Sequence, residues 1–312
     1  MHLDSCRELK NDLRGRIITA ADVSAPYLAL GIKADSEDRF RLAVRVREAA
    51  PVSDLLARIS GDARGEVDVV EVGEIRALSP FSPEEMQKPH RPLVPGCSVG
   101  HPDVTAGTLG AFVEVDGAVH VLSNNHVLGN TGEAAIGDMA LQPGKADRGR
   151  DPADRFGELV AMSELKRDRP NLVDAAVARI DDGVGHDAAR YPGGPVTEAD
   201  PEPGGATAVE KVGRTTGHTR GRITAFEVDG LRISFPGGEL VFDDQLEVSG
   251  TGGAFSAGGD SGSLIWTDEG RREAVGLLFA GSAFGGPDGT GLTYANPIGL
   301  VLETFGARLV AP

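Results

Sequence analysis

Cysteine, aromatic residues and long apolar runs are all scarce in this sequence. Its 312 residues include 2 cysteines, Cys6 and Cys97, and only 5% aromatic residues. Two distant cysteines cannot form a disulfide framework, and neither has metal-ligand spacing around it. No segment approaches the roughly 18 consecutive apolar residues of a membrane-spanning helix. Residues 1–17 carry charges throughout and lack the apolar core of a signal peptide, so we expect a cytoplasmic protein with free thiols, no metal and no membrane association.

Positively charged residues are also fewer than negatively charged ones. Lys and Arg number 31 against 47 Asp and Glu, which gives a formal net charge of −16. Nucleic-acid binding depends largely on Lys and Arg contacts to phosphate, so this balance argues against a nucleic-acid partner. The 43 glycines and 19 prolines, with 40% hydrophobic residues, favour a globular fold rich in turns and strands.

Residues 1–76 predict a small α+β domain, and residues 77–95 predict a proline-rich linker after it. Apolar residues first recur at helical spacing and then alternate with polar residues as strands do. In chain order, the predicted elements are a helix around Cys6, Leu9 and Leu13, strands over 27–34 and 40–48, a helix over 51–60 and a strand over 66–75. Five prolines between residues 79 and 96 are typical of an irregular connection.

Residues 96–312 predict a mainly β domain of two antiparallel barrels. Short apolar runs recur with Gly, Asp and Asn between them, interrupted by a Pro/Gly-rich break at 191–205. The predicted strands are 108–115, 118–123, 156–162, 173–180, 221–228, 231–235, 238–248, 262–266 and 273–280. We therefore expect a first barrel over about 96–190 and a second over about 205–312.

The last segment predicts a C-terminal helix docked on the second barrel. Asn296 is a suitable N-cap, and Pro297 suits the first helical position. The apolar residues that follow at helical spacing are Ile298, Val301, Leu302 and Phe305.

The stretch AGGDSGS, residues 257–263, is the strongest candidate for a reactive site. A glycine-rich approach lets the backbone bend sharply and turn amide N–H groups inward, so Gly259 and Ser261 can form an oxyanion hole. Ser261 would be the nucleophile, which needs a base and a group that orients the base. The alternative is a plain glycine turn with an incidental serine.

All seven histidines precede Ser261, which excludes hydrolase classes whose histidine follows the serine. His126 is the best candidate base because it follows an apolar run directly and lies in a polar turn. His218 is the second choice, and His120, inside a predicted strand, is more typical of a structural residue. Asp174 heads the apolar run 173–180, where a buried carboxylate needs a partner such as an imidazole N–H. The alternative is an aspartate that only caps a turn.

Four motifs in this order resemble the chymotrypsin/trypsin-like serine peptidases. They are LSNNHVL around His126, NLVDAAVARI around Asp174, KVGRTTGHTRG around Arg214, and GGDSGS around Ser261. The chain is most similar to cytosolic bacterial trypsin-like peptidases related to the plant narrow-leaf protein, a resemblance that extends to GLLFAGS and ANPI near the C-terminus. It implies two β-barrels of chymotrypsin type over roughly 96–308.

By this resemblance, His126 is the general base, Asp174 orients it, Ser261 attacks the carbonyl, and Gly259 and Ser261 supply the oxyanion-hole N–H groups. The resemblance also implies an Arg214–Asp260 ion pair that holds the oxyanion loop without proteolytic activation. Nothing upstream of the barrels looks like a cleaved activation site.

The family pattern further implies where substrate would lie. The expected substrate-binding residues are Phe255, Ser256, Ala257, Phe279, Ala280 and Gly281. None of these is charged, so we expect a neutral, small or apolar residue at P1. Phe279 departs from the family, since trypsin relatives usually have a serine there that helps to hold the triad acid.

The sequence thus predicts a serine endopeptidase that acts on protein or peptide substrates without a cofactor. The alternatives are a latent peptidase fold that serves as an interaction or regulatory module, and a general esterase. The N-terminal residues 1–76 would be the part that mediates homo-oligomerisation or binds a regulatory partner.

Overall fold

The computed structural model describes residues 1–17, 28–36, 39–72, 80–199, 207–268 and 271–310. These residues divide into two compact units, Met1–Leu78 and Ser79–Pro312. The described helices are α1 (Leu3–Ile17), α2 (Ser53–Asp62), α3 (Pro83–Met86), α4 (Asn125–Leu128) and α5 (Ile298–Phe305), with 3₁₀ turns at Ala50–Val52, Asn130–Gly132 and Lys145–Asp147. Within the described ranges, no helix is long and apolar enough to cross a membrane.

The first unit is a three-stranded sheet with two helices. Its strands are β1 (Leu28–Ser36), β2 (Arg39–Val46) and β3 (Val67–Glu71). β1 and β2 pair antiparallel, whereas β2 and β3 pair parallel. A parallel pair needs a crossover connection, which α2 provides. The order of elements follows the predicted one; residue 27 and residues 73–75, the ends of two predicted strands, lie outside the described residues.

The proline-rich segment predicted as a linker is packed into the second unit over its described part. Ser82 caps the short helix α3 by accepting a hydrogen bond from Glu85 N at 3.3 Å. Met86 and Leu93 are fully buried, and Leu93 N donates to Gly185 O at 2.8 Å. The linker prediction is wrong there because it weighed the prolines and overlooked the apolar residues between them.

The second unit is built almost entirely from strands. They are β4 (Ser98–Val99), β5 (Gly107–Thr108), β6 (Ala111–Val115), β7 (Ala118–Ser123), β8 (Met139–Leu141), β9 (Arg155–Met162), β10 (Ala176–Ile180), β11 (Glu198–Ala199), β12 (Ala208–Gly213), β13 (Gly217–Val228), β14 (Leu231–Phe235), β15 (Gly238–Phe242), β16 (Gln245–Gly250), β17 (Leu264–Thr267), β18 (Glu273–Gly281), β19 (Leu292–Pro297) and β20 (Arg308–Leu309).

Two antiparallel β-barrels account for most of these strands. The first contains a six-stranded sheet in the order β20-β6-β7-β10-β9-β8. In the second, β18, β17, β12, β13, β16 and β19 pair in succession, and the β18–β19 pairing closes the ring. Ala111 and Leu122 of the first barrel and Leu264 and Leu277 of the second share one buried cluster. Apolar burial therefore holds the two barrels together.

The second barrel departs from the predicted strand pattern at residues 238–248. This single predicted strand divides into β15 and β16, with Asp244 at φ +59° between them. β15 pairs with β14 in a separate hairpin, which we call the aromatic hairpin (231–242) because it carries Phe235 and Phe242. Two adjacent aspartates, 243 and 244, end the apolar run and allow the chain to turn.

The C-terminal helix is α5, and β20 follows it to join the first barrel's sheet beside β6. Asn296 does not cap α5, because Pro297 occupies the N-cap position and no side chain caps the helix. The prediction that Asn296 is the cap is therefore wrong. Its side chain is fully buried and turned toward Asp174 instead.

Candidate active site

His126 lies on α4, a single helical turn that begins where β7 ends. The two asparagines before it are fully buried and hold this turn in place. Asn124 Nδ2 donates to Asp174 O at 2.7 Å, and Asn125 Nδ2 donates to Ser163 O at 2.6 Å. The short polar sequence therefore fixes the imidazole at the end of a strand, where its side chain remains 19% exposed.

Asp174 makes two contacts with His126. Its Oδ2 lies 2.6 Å from His126 Nδ1, and its Oδ1 accepts a hydrogen bond from His126 N at 3.1 Å. The carboxylate is completely buried. An ionised carboxylate only accepts hydrogen bonds, so Nδ1 carries the imidazole proton and Nε2 is left as the basic nitrogen.

Sequence reasoning missed a pair of amides behind Asp174. Asn296 Oδ1 accepts from Asp174 N at 2.9 Å, and Asn296 Nδ2 donates to Gln245 Oε1 at 2.6 Å. Gln245 Nε2 in turn donates to Leu172 O at 3.0 Å. Asn296 and Gln245 therefore fix the backbone of the aspartate segment.

An aromatic row lies beside the imidazole. The Phe235 ring meets His126 edge-on with centroids 5.7 Å apart, and Phe242 contacts Phe279 at 4.8 Å. Phe279 is 3% exposed, so its side chain belongs to the core beneath the aromatic hairpin. This cluster covers one side of His126 and limits its access to water.

Ser261 lies in a tight turn close to α4. Thr108 N of β5 donates to Ser261 O at 2.8 Å, and Thr108 Oγ1 donates to Gly259 O at 2.9 Å. A Cβ on Gly107 would lie 2.3 Å from Val127 Cγ2 and 3.0 Å from Ser261 O. β5 therefore lies against both α4 and the serine turn, with a close approach that only glycine permits. Among the residues that the structure describes, the Ser261 hydroxyl forms no hydrogen bond, to His126 or to any other group.

The amides of Gly259 and Ser261 are free to bind an anion. Neither N–H donates to another group in the described part of the chain, although Asp260 N, Gly262 N and Ser263 N all do. Gly259 has φ +98° and Gly262 has φ +94°, backbone conformations that residues other than glycine rarely adopt. Two unpaired N–H groups next to a hydroxyl are the arrangement that an oxyanion hole requires.

Asp260 does not pair with Arg214, so the predicted ion pair is wrong. Both carboxylate oxygens of Asp260 have other partners. Oδ1 accepts hydrogen bonds from Thr215 N and Thr216 N. Oδ2 accepts hydrogen bonds from Ala257 N and the Thr216 hydroxyl, and it lies 3.4 Å from Lys211 Nζ. The side chains of Lys211 and Asp260 are both completely buried. Lys211 therefore balances the charge that Arg214 was expected to balance.

Arg214 bonds to the first barrel instead. Its guanidinium pairs with Asp147 in the 3₁₀ turn Lys145–Asp147 and also donates to Thr215 Oγ1 at 3.1 Å. Arg214 lies one residue past the end of β12 and reaches Asp147 of the first barrel, whereas Lys211 lies within β12 and is buried in the second barrel.

A cleft of about 360 Å³ opens beside Ser261. It is lined by Ser256, Ala257, Gly258, Ser261, Leu278, Ala280, Gly281, Ser282, Ala283 and Thr290. Of the predicted substrate-binding residues, Ser256, Ala257, Ala280 and Gly281 line it. Phe255 and Phe279 do not; Phe255 is 1% exposed and packs in the second barrel's core beneath Lys211 Nζ. Ser256 Oγ lies 2.7 Å from Thr293 Oγ1, a partner that the sequence did not indicate.

Comparison with known proteins identifies the fold. No protein-family model and no curated protein sequence matches the chain. Among solved structures, a glutamic acid specific serine protease, described as using a histidine triad in substrate binding, matches with TM-score 0.51 and 17% identity, over 70% of this chain and 100% of that one. A Nocardiopsis protease, NAPase, matches with TM-score 0.50 and 18% identity, over 70% and 98%. The second unit thus has the two-barrel fold of the chymotrypsin-type serine proteases.

Proposed function

We propose that this protein is a serine endopeptidase whose triad is His126, Asp174 and Ser261. The observation that carries the proposal is the buried Asp174 carboxylate at 2.6 Å from His126 Nδ1, next to a serine turn with two unpaired N–H groups. The free Ser261 hydroxyl is compatible with this role, since catalytic hydrogen bonds are often loose before substrate binds.

In the proposed reaction, Ser261 Oγ attacks the scissile carbonyl carbon while His126 Nε2 takes the hydroxyl proton. Asp174 stabilises the resulting imidazolium, and the N–H groups of Gly259 and Ser261 bind the oxyanion. Each such donor contributes roughly 3–4 kcal/mol of transition-state stabilisation. His126 returns the proton to the leaving amine as the C–N bond breaks. Water then attacks the acyl-enzyme while His126 takes its proton, and His126 gives that proton to Ser261 Oγ as the ester bond breaks.

The cleft favours a neutral, small or apolar P1 residue. None of the described residues that line it is charged, and Leu278 and Ala283 add apolar surface. The glutamic acid specific protease is described as using histidines to bind substrate, whereas this cleft has no histidine among its described lining residues. Four further points stay predictions from the sequence. They are the trypsin-like subtype, the relation to the narrow-leaf group, a cytoplasmic location and a partner role for residues 1–76.

Cleavage of a denatured protein substrate tests this proposal. We expect wild-type protein to cut denatured casein after neutral residues, as read by mass spectrometry of the products. Asp174→Asn should lower kcat by about 10⁴-fold, because the imidazole would lose its oriented tautomer. Asp182→Asn, an exposed carboxylate on the same barrel, should leave kcat unchanged.

Two outcomes would contradict the proposal. Turnover of activated esters without any peptide cleavage would indicate an esterase. No turnover of either substrate by folded wild-type protein would indicate a latent interaction module.

A further inference from the structure

The peptide group between Gly258 and Gly259 has little steric hindrance to rotation. Both flanking residues are glycines, and a Cβ at Gly258 would meet no atom within 4 Å. In a trans peptide the C=O and N–H point in opposite directions, so the direction of the Gly258 carbonyl decides where the Gly259 N–H points. A rotated peptide would remove one donor from the oxyanion hole.

A single side chain holds the Gly258 carbonyl in the described structure. Thr215 Oγ1 donates to Gly258 O at 2.8 Å. The Thr215 hydroxyl has one proton to donate, and its oxygen also accepts a hydrogen bond from Arg214 Nη1 at 3.1 Å. Because the guanidinium occupies a lone pair of the hydroxyl, the hydroxyl proton is left for the carbonyl.

Arg214 is itself held from the first barrel. Its other terminal nitrogen pairs with Asp147, and the two side chains are only 14% and 6% exposed. A buried charge pair of this kind restricts the guanidinium to one position. The contacts therefore run in sequence from Asp147 through Arg214 and Thr215 to the Gly258 carbonyl, which links the first barrel to the oxyanion turn.

The space around Gly259 agrees with this arrangement. A Cβ there would lie 2.5 Å from Thr215 Oγ1 and 2.7 Å from Arg214 Nη1. The hydroxyl and the guanidinium therefore lie close to the peptide that they orient.

We propose that Thr215, oriented by Arg214 and Asp147, is a positioning residue that keeps the Gly259 N–H directed into the oxyanion hole. This inference rests on the proposed peptidase function. It gives Arg214 a role different from the predicted pairing with Asp260: the guanidinium acts on the oxyanion peptide through the threonine hydroxyl.

The test compares Thr215→Val, which keeps the side-chain shape but removes the hydroxyl, with Thr215→Ser, which keeps the hydroxyl. We expect Thr215→Val to lower kcat by about ten- to a hundredfold with KM unchanged, since one oxyanion donor is worth about 10²–10³ in kcat. Its affinity for a peptide aldehyde, which forms a tetrahedral adduct with Ser261, should fall by the same factor. Thr215→Ser should restore both values to within about threefold of wild type.

Two further variants make the result specific. Arg214→Gln should lower kcat in the same direction, because the Thr215 hydroxyl loses its orienting donor. Thr224→Val, an equivalent change at an exposed position on β13, should have no effect.

The outcomes separate this inference from the proposed function. If wild type cleaves peptides and Thr215→Val retains its kcat and its aldehyde affinity, the inference is wrong and the peptidase function stands. If Thr215→Val raises only KM, the threonine contacts substrate and the positioning role is likewise refuted. If folded wild type neither cleaves peptides nor binds the aldehyde, the function fails, and with it the role of Thr215.

Discussion

Lys211 balances the charge of Asp260 inside the second barrel. The ammonium has four close neighbours: the Asp260 carboxylate, the Thr216 hydroxyl, the Gly217 carbonyl and the ring of Phe255. These contacts link the Lys211 ammonium to Asp260 within the serine turn and to the β12–β13 connection beside it. The conformation of residues 257–261 therefore responds to the charge on Lys211.

This dependence predicts a loss of activity at alkaline pH. Burial lowers the pKa of Lys211 below its ordinary value of 10.5, although Asp260 opposes the shift. We expect kcat/KM to fall as the pH rises through this lowered pKa, because a neutral amine no longer balances Asp260. In the same window the unfolded chain still binds the proton, so the contribution of Lys211 to the free energy of unfolding rises with pH. Activity should thus be lost while the fold is kept.

The control for this prediction is Lys211→Arg, whose guanidinium stays charged at these pH values. Its alkaline limb in a pH–rate profile should move upward. An unchanged limb, or a loss of activity that coincides with unfolding by circular dichroism, would show that Lys211 is not the titrating group.

At the scale of secondary-structure elements, the end of β19 supports the first barrel's aspartate segment. Asn296 is fully buried at the junction with α5 and bonds to both Asp174 N and Gln245. The C-terminal segment thus contributes to the site through strand register as well as through the docking of α5.

Asn296→Ala should therefore weaken both the fold and the site. Each buried polar group left unpaired costs about 1–3 kcal/mol, so we expect the free energy of unfolding in urea to fall by about 2–4 kcal/mol. The matched control is Glu303→Ala on the exposed face of α5, which should change stability by less than about 0.5 kcal/mol. A loss for Asn296→Ala no larger than the control's would refute this role.

The order of elements could be predicted from the sequence, whereas several side-chain partners could not. His126 directly follows an apolar run and Asp174 heads another, so both residues could be recognised from the sequence. Lys211 lies in β12, a run that was not predicted as a strand, and the barrel around it buries its side chain completely. Asn296 resembled a helix cap because Asn-Pro precedes an apolar helix, but pairing of β19 with β16 and β18 places its side chain toward Asp174.

At the scale of the whole molecule, the second unit combines a chymotrypsin-type fold with a neutral cleft on a strongly acidic chain. NAPase and the glutamic acid specific protease are only 18% and 17% identical to this chain, so they establish the fold and leave the chemistry to the site itself. The proposed function requires that Ser261 be a nucleophile activated by His126.

Labelling with a fluorophosphonate probe tests that claim most directly, because the probe reacts covalently with an activated serine hydroxyl. We expect stoichiometric labelling of folded wild-type protein, mapped to Ser261 by mass spectrometry, and loss of labelling in Ser261→Ala and in His126→Ala. No labelling of folded wild type, or labelling that persists in Ser261→Ala, would contradict the account.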